Sequence, residues 1–172
     1  MIIEAESQLT TKDHAILQTM LERYRGPHGP YLTLLEKKVR DSTIYFRDDI
    51  PPGVVTVNTR LTYRVGDESV GPQLIVQSET NDLPPFALSI HTITGLALLG
   101  LTERRPITIA LGADDEETLQ VEEILSQPEA EARLRERAAD TPRQSLNVVS
   151  FPARRPQPAF EPDDDDPGPR AA

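Results

Sequence analysis

The sequence contains 172 residues, with 18 Lys and Arg against 28 Asp and Glu, and its formal net charge is −10. This length allows one domain of ordinary size with a small appendage, and an acidic chain without clustered cations is not expected to bind nucleic acid by neutralising phosphates. The absence of cysteine excludes disulfides, thiolate metal sites and cysteine nucleophiles, which suits a reducing cytoplasm.

Residues 1–43 predict a short helical hairpin. Thr10 and Thr11 offer an N-cap before Asp13, an acid in the first helical turn. Two apolar stripes at helical spacing follow: Ile16, Leu17, Met20, Leu21 and Tyr24, then Tyr31, Leu34, Leu35 and Val39. Between them RGPHGP (25–30) ends one helix and starts the next at Pro30. We expect an antiparallel, coiled-coil-like hairpin whose second helix ends in cations that favour its dipole: Lys37, Lys38 and Arg40.

Residues 44–130 change to strand periodicity. VVTVNTRLTYRV (54–65) alternates apolar and polar residues and predicts a half-buried strand, followed by a turn at 66–69. Further strands are predicted at 73–77, 86–91, 107–111 and 118–125, with a short helix, TGLALLG, that Thr92 can cap. The predicted fold class is therefore α+β, with a small antiparallel sheet and one short helix after the hairpin.

The remainder of the chain predicts an appendage. Residues 131–151 read as a charged helix that packs weakly and a linker, in which 146–151 could be a strand or a linear binding segment. Residues 152–172 are rich in Pro and contain four consecutive Asp, a composition typical of a disordered acidic tail that is dispensable for folding. No apolar run approaches the about 20 residues that span a bilayer, and the N-terminus does not resemble a signal peptide. We expect a cytoplasmic protein with no membrane contact.

The chemical motifs of common enzymes are missing. None of the three His has metal-ligand spacing, and no phosphate-binding glycine loop or nucleophile elbow occurs. Residues 114–117 (DDEE) could bind a cation weakly, but they lack the spacing of a calcium loop, so a solvated turn is the favoured interpretation. We expect no catalytic residues, no metal and no cofactor.

Three segments in order resemble the regulator of nucleoside diphosphate kinase family, relatives of the Gre-type transcript cleavage factors. They are GVVTVNTRLTYR (53–64), ITGLALLGL (93–101) and LQVEEILSQPEA (119–130). The resemblance implies an FKBP-like globular domain of the Gre C-terminal type at 44–130, joined to an N-terminal coiled coil. It also implies a partner, bacterial RNA polymerase, whose secondary channel the coiled coil enters while the globular domain grips the rim.

The resemblance also implies which residues contact the polymerase. The rim contact falls on the loop and helix start that contain Ser89, His91, Thr92, Ile93 and Gly95, although Ile93 and Leu96 could equally be core residues. The hairpin tip contributes Arg25 and His28.

The hairpin tip differs from that of the cleavage factors. Those factors present two acids at the tip that help to hold a magnesium ion, whereas here the nearest acid is Glu22, about one turn back. The resemblance therefore implies a regulator without cleavage activity. Thr92-Ile93 and Arg104-Arg105 depart from the family pattern, the first of them in the expected rim contact.

Two other functions are compatible with the same fold. A prolyl isomerase of the FKBP type is disfavoured because such enzymes use an aromatic-lined pocket, and this domain has few aromatic residues and no Trp. A diverged adaptor that binds another protein partner stays open. We expect a monomer that makes no direct sequence-specific contact with nucleic acid.

Overall fold

The computed structural model describes residues 6–80, 82–112 and 114–140, which form one compact unit. Its helices and strands run in the order β1 (Gln8–Thr10), α1 (Thr11–Arg23), α2 (Pro30–Asp41), β2 (Thr43–Tyr45), β3 (Arg60–Val65), β4 (Glu68–Val76), β5 (Ala87–Ser89), α3 (Ile93–Leu98), β6 (Pro106–Ala110), β7 (Glu116–Ser126) and α4 (Pro128–Asp140). The predicted α+β class, with an N-terminal helical hairpin and a small sheet with one short helix, is confirmed.

The main sheet has five strands in the order β5-β4-β3-β7-β6. The pairs β3/β4, β3/β7 and β6/β7 are antiparallel as predicted, but β4 and β5 pair in parallel. A second, parallel pair joins β1 to β2 at the two ends of the hairpin. Sequence periodicity missed β1 and β2 because each has three residues, too few for an alternation to be visible.

Both helices of the hairpin begin where the sequence predicts. The Thr10 side chain accepts a hydrogen bond from the Asp13 backbone N–H at 3.0 Å, and Pro30 occupies the first turn of α2. The apolar stripes lie against the sheet, because Leu17 and Leu35 belong to the same core cluster as Leu61 and Ile75. The hairpin is thus one wall of a single hydrophobic core.

The prediction of a strand from residue 54 is wrong for its first half. Residues 54–59 form an irregular segment in which Asn58 has a φ of 68°, and β3 begins only at Arg60. Side chains from both alternating sets are buried there, Thr56 as well as Val55 and Val57, while Asn58 is exposed. The backbone pairs across the end of α3, where Val55 N–H donates to the Leu101 carbonyl at 2.9 Å. The alternation of Val with polar residues therefore belongs to an irregular segment that is packed on two sides. Periodicity alone does not distinguish such a segment from a strand.

Other boundaries move by a few residues. The turn predicted at 66–69 is a two-residue turn with Gly66 at a φ of 57°, a conformation that favours glycine, so β4 starts at Glu68. The helix α4 starts at Pro128 and buries none of its side chains, in agreement with the weak packing expected for it. The linker to 151, with the segment 146–151, and the tail at 152–172 lie outside the described residues.

Asp13 links the hairpin to the irregular segment. Its carboxylate is buried and accepts a hydrogen bond from the Val57 N–H at 3.3 Å. Burial raises the pKa of Asp13 to about 6, although the hydrogen bond from Val57 opposes the rise. The raised pKa contributes stability that is present in full below pH 3.8 and is lost as the pH rises through about 6.

Candidate functional site at the hairpin tip and the loop before α3

The loop between β5 and α3 is held by its own side chains. Ser89 is buried, and its hydroxyl accepts a hydrogen bond from the His91 N–H at 3.0 Å. Thr92 caps α3, because its hydroxyl accepts from the Gly95 N–H at 3.1 Å while donating to the Ser89 carbonyl at 2.6 Å. These bonds leave His91 half-buried and Thr92 exposed at the surface of a rigid loop.

Gly95 allows this loop to lie directly on α3. A Cβ at Gly95 would be 2.1 Å from the Ser89 carbonyl oxygen, which belongs to the backbone and has no rotamer by which to move. Gly95 is buried, so its role in the site is to permit a close backbone approach.

The hairpin tip is closed by two stacked tyrosines. The rings of Tyr24 and Tyr31 lie with their centroids 5.8 Å apart at an interplanar angle of 25°, on either side of the turn. The Tyr24 hydroxyl donates to the Pro27 carbonyl at 3.1 Å. Arg25 donates to the backbone carbonyls of Glu22 and Tyr24 at 3.0 and 2.9 Å, and these bonds hold its exposed side chain over the end of α1.

A single hydrogen bond joins the tip to the loop before α3. The Tyr31 hydroxyl donates to the Ile90 carbonyl at 3.0 Å. Burial, with a smaller contribution from Tyr24, raises the pKa of Tyr31 to about 12, so this hydroxyl keeps its proton throughout the physiological range. The start of α2 therefore lies against the globular part and does not project away from it.

Between the tip and this loop lies a cavity of about 500 Å³. Its apolar floor includes Met20 and Leu35, and its rim carries Arg23, Arg25 and His91. The one acid on the rim is Glu79, which is 84% exposed and whose carboxylate lies 3.9 Å from His91 Nε2. The cavity suits an acidic or hydrogen-bond-accepting group of a partner more than a basic one.

The cavity brings together three of the seven residues predicted as partner contacts, Arg25, His91 and Ile93. Thr92 is exposed beside them, while Ser89 and Gly95 are buried and act by shaping the loop. His28 is exposed in the turn and does not line the cavity. Of the two residues that could have been core, Leu96 is fully buried, whereas Ile93 is half-buried and lines the cavity.

Sequence reasoning assigned Tyr24 and Tyr31 to apolar stripes and missed their role in the site. Their place in the sequence could have indicated this role, because the two tyrosines flank the RGPHGP turn and their hydroxyls need hydrogen-bond partners when buried. Among the described residues, no group of three or more His, Asp or Glu side chains could hold a metal ion. No described helix has the length and apolar character needed to cross a membrane.

A helical hairpin packed on this curled sheet is the fold of the Gre-type transcription elongation factors. The particular likeness is to a prokaryotic transcription elongation factor GreA/GreB from Nitrosomonas europaea, with a TM-score of 0.55 and 23% identity over 72% of this chain and all of that chain.

Weaker likenesses are to two structures of GreA factor homolog 1. The one from Thermus thermophilus has a TM-score of 0.35 and 15% identity, over 70% of this chain and 99% of that chain. The one from Thermus aquaticus has a TM-score of 0.36 and 13% identity, over 72% of this chain and all of that chain. These two scores are too low to indicate a shared overall arrangement. No protein-family model matches the sequence, nor does any curated protein.

Proposed function

We propose that this protein is a non-catalytic transcription regulator that docks on bacterial RNA polymerase at the rim of the secondary channel. The proposal places it with the regulators of nucleoside diphosphate kinase and in the cytoplasm, where the polymerase works. The fold shared with a GreA/GreB elongation factor supports the polymerase as the class of partner. The cavity at the tip supplies a surface for the contact, because it joins the loop before α3 to the hairpin.

The observation that carries the non-catalytic part of the proposal is the composition of the tip. No acid occurs from Arg23 to Tyr31, and the nearest one, Glu22, lies about one turn back on α1. Metal-assisted hydrolysis of a phosphodiester needs carboxylates that can hold the metal at the reacting phosphate. A tip that offers Arg25, His28, Pro and Gly would occupy the polymerase surface without delivering a metal ligand.

Charge would orient the docked protein. The chain as a whole is strongly acidic, but the cavity rim carries two arginines, Arg23 and Arg25, against one acid, Glu79. A local cationic patch on an anionic body favours an acidic patch on the partner and disfavours approach to nucleic acid from other faces.

Binding to purified RNA polymerase core enzyme is expected to depend on the charge of Arg25. Replacing Arg25→Glu reverses an exposed charge on the cavity rim without removing any core contact, and should weaken binding about tenfold. Fluorescence anisotropy of the labelled protein measures it. Arg105→Glu is the matched control, since Arg105 is also exposed but lies outside the cavity. Equal affinities of the wild type and Arg25→Glu, or an equal loss in the control, would contradict the proposed contact.

The second expected result is that the purified protein does not stimulate transcript cleavage in a backtracked elongation complex. It should instead slow the cleavage that an authentic GreA or GreB factor produces in the same reaction, because both would occupy the same surface. Gel analysis of RNA labelled at the 5′ end measures both effects, with the authentic factor alone as the positive control. Shortened transcripts above the polymerase's own background would overturn the non-catalytic proposal.

A further inference from the structure

A second concavity, of about 570 Å³, lies between α2 and the edge strand β6 and shares Ile93 with the cavity at the tip. Its walls are largely apolar, with Leu34 from α2, Ile93 from α3 and Ile107 and Ile109 from β6. We call it the α2/β6 groove. Its volume is within the range of specific ligand sites.

Among the described residues, no strand pairs with the outer edge of β6, and this edge faces the groove. Four consecutive residues, 107–110, line it, and neighbours along a strand point to opposite faces of a sheet, so the groove lies beside the edge of the strand. The Leu111 N–H donates to the Asp115 carbonyl at 2.7 Å, which continues the register of Ile107 with Leu119 and Ile109 with Glu117.

Backbone groups in an antiparallel pair point alternately toward and away from the partner strand. Since the odd-numbered residues of β6 bond to β7, the N–H and carbonyl groups of Thr108 and Ala110 point away from β7, toward the open edge.

A buried ammonium group lies at one end of the groove. Lys38 is 3% exposed, and its Nζ donates to the Leu99 carbonyl and, at 3.2 Å, to the Ser7 hydroxyl. An ammonium carries three N–H groups, and among the described residues no carboxylate pairs with this one. Both Lys38 and Ser7 line the groove. A cation without a counter-ion is costly to bury, and a bound anion would lower that cost.

We propose that the α2/β6 groove binds an extended peptide segment of a partner protein, which adds as a sixth strand to β6 and directs one acidic side chain at Lys38. This interaction involves a different partner from the polymerase contact at the tip, although Ile93 lines both the groove and the tip cavity. Strand addition supplies partners for the outward peptide groups of Thr108 and Ala110, and the apolar walls receive alternate side chains of the segment.

The edge of β6 favours a peptide over a carboxylic acid with a hydrocarbon chain. A hydrocarbon chain in the groove would cut the peptide groups of Thr108 and Ala110 off from water without giving them partners, which is unfavourable for each group. The groove also favours a single carboxylate over several. Glu6 and Asp41 line it too, the first bonded to Thr43 and the second paired with Arg40, and both would repel a highly acidic segment.

The test uses the full-length protein and a labelled pentapeptide that is acetylated and amidated, alternates valine and threonine, and carries one glutamate. A companion peptide has glutamine in place of the glutamate, and a third carries N-methyl groups on alternate amides. We expect the glutamate peptide to bind about tenfold more tightly than the glutamine peptide, and N-methylation to abolish binding. Lys38→Met should bind the first two peptides equally.

Hydrogen exchange locates the peptide without any substitution. The amide protons of Thr108 and Ala110 should exchange more slowly in the presence of the glutamate peptide, while those of the other edge strand, β5, should not change. Thr108→Pro removes an outward N–H that β7 does not use, and should abolish binding, whereas the control Thr108→Val should bind normally.

Several results would overturn the proposal. They are no binding at millimolar peptide, equal affinity of the wild type for the glutamate and glutamine peptides, binding of the N-methylated peptide, and protection at β5 instead of β6. A dimer held through β6, detected by sedimentation and not dispersed by the peptide, would assign the edge to a second copy of the chain and would equally overturn it.

Discussion

Replacing Lys38→Met will abolish a rise in the free energy of unfolding between pH 6.5 and 9.5. Burial, with a smaller contribution from Lys37, lowers the pKa of Lys38 from 10.5 to about 7. The unfolded state therefore binds the Lys38 proton more tightly than the folded state does. The cost of burying the ammonium is present in full below about pH 7 and disappears as the pH rises toward 10.5. Between pH 6.5 and 9.5 the wild type should gain about 2 to 3 kcal/mol more stability than the variant.

Urea unfolding at a series of pH values measures this difference. Arg105→Met is the matched control, because Arg105 is an exposed cation and its loss should leave the pH profile of the wild type unchanged. The range stops at pH 9.5 because burial also raises the pKa values of Tyr31 and Tyr63, whose contribution to stability is lost at higher pH. Parallel profiles for the wild type and Lys38→Met would mean that Lys38 is solvated in the folded protein.

The sequence predicted the position of Lys38 in the last turn of α2, but not its burial. The cation was interpreted as a favourable charge in the last turn of α2, an effect of local sequence that the helix itself supplies. Its burial depends on Ser7 and Leu99, which are 31 and 61 residues away in the chain. Periodicity reports which face of a helix is apolar, but it contains no information about which polar residue that face will bury.

Local sequence signals also explain why the helices α1 and α2 were predicted correctly and residues 54–59 were not. The helices α1 and α2 were predicted from caps and spacing, because Thr10, Pro30 and the apolar stripes are local signals. Residues 54–59 were assigned to a strand because their alternation is local, but their hydrogen bonds to Leu101 and Asp13 are not. Tertiary contacts on both sides of this segment decided its conformation.

The sequence indicated the loop of the candidate site, but it did not indicate that the hairpin tip and this loop enclose a cavity. A resemblance placed His91 and Ile93 in the partner contact, and the structure adds that Arg25 lies on the same cavity as both. That arrangement results from the packing of the hairpin on the globular part and from the bond between Tyr31 and Ile90. The position of the short turn beside this loop therefore depends on tertiary packing, which the local sequence does not report.

The second large effect is expected from Gly95→Ala. In an ordinary helix this change stabilises by up to about 1 kcal/mol, because alanine has the higher helix propensity. Here the added Cβ would lie 2.1 Å from the Ser89 carbonyl oxygen and 2.7 Å from its carbon, so the β5–α3 loop must move as a unit. That movement would strain the bonds of the Thr92 cap and shift His91 on the cavity rim. We expect a loss of about 3 kcal/mol in the free energy of unfolding.

Gly29→Ala is the matched control for this loss. A Cβ at Gly29 would have no atom within 4 Å, and the residue has a φ of −173°, which any residue adopts. The control should unfold within about 0.5 kcal/mol of the wild type, since a surface substitution without a new contact has little effect. Thermal and urea unfolding of the three proteins at one pH measure the difference. An unchanged or higher stability of Gly95→Ala would mean that the loop stands away from α3 in solution, and the rigid polymerase-binding edge proposed for His91 and Ile93 would then lose its support.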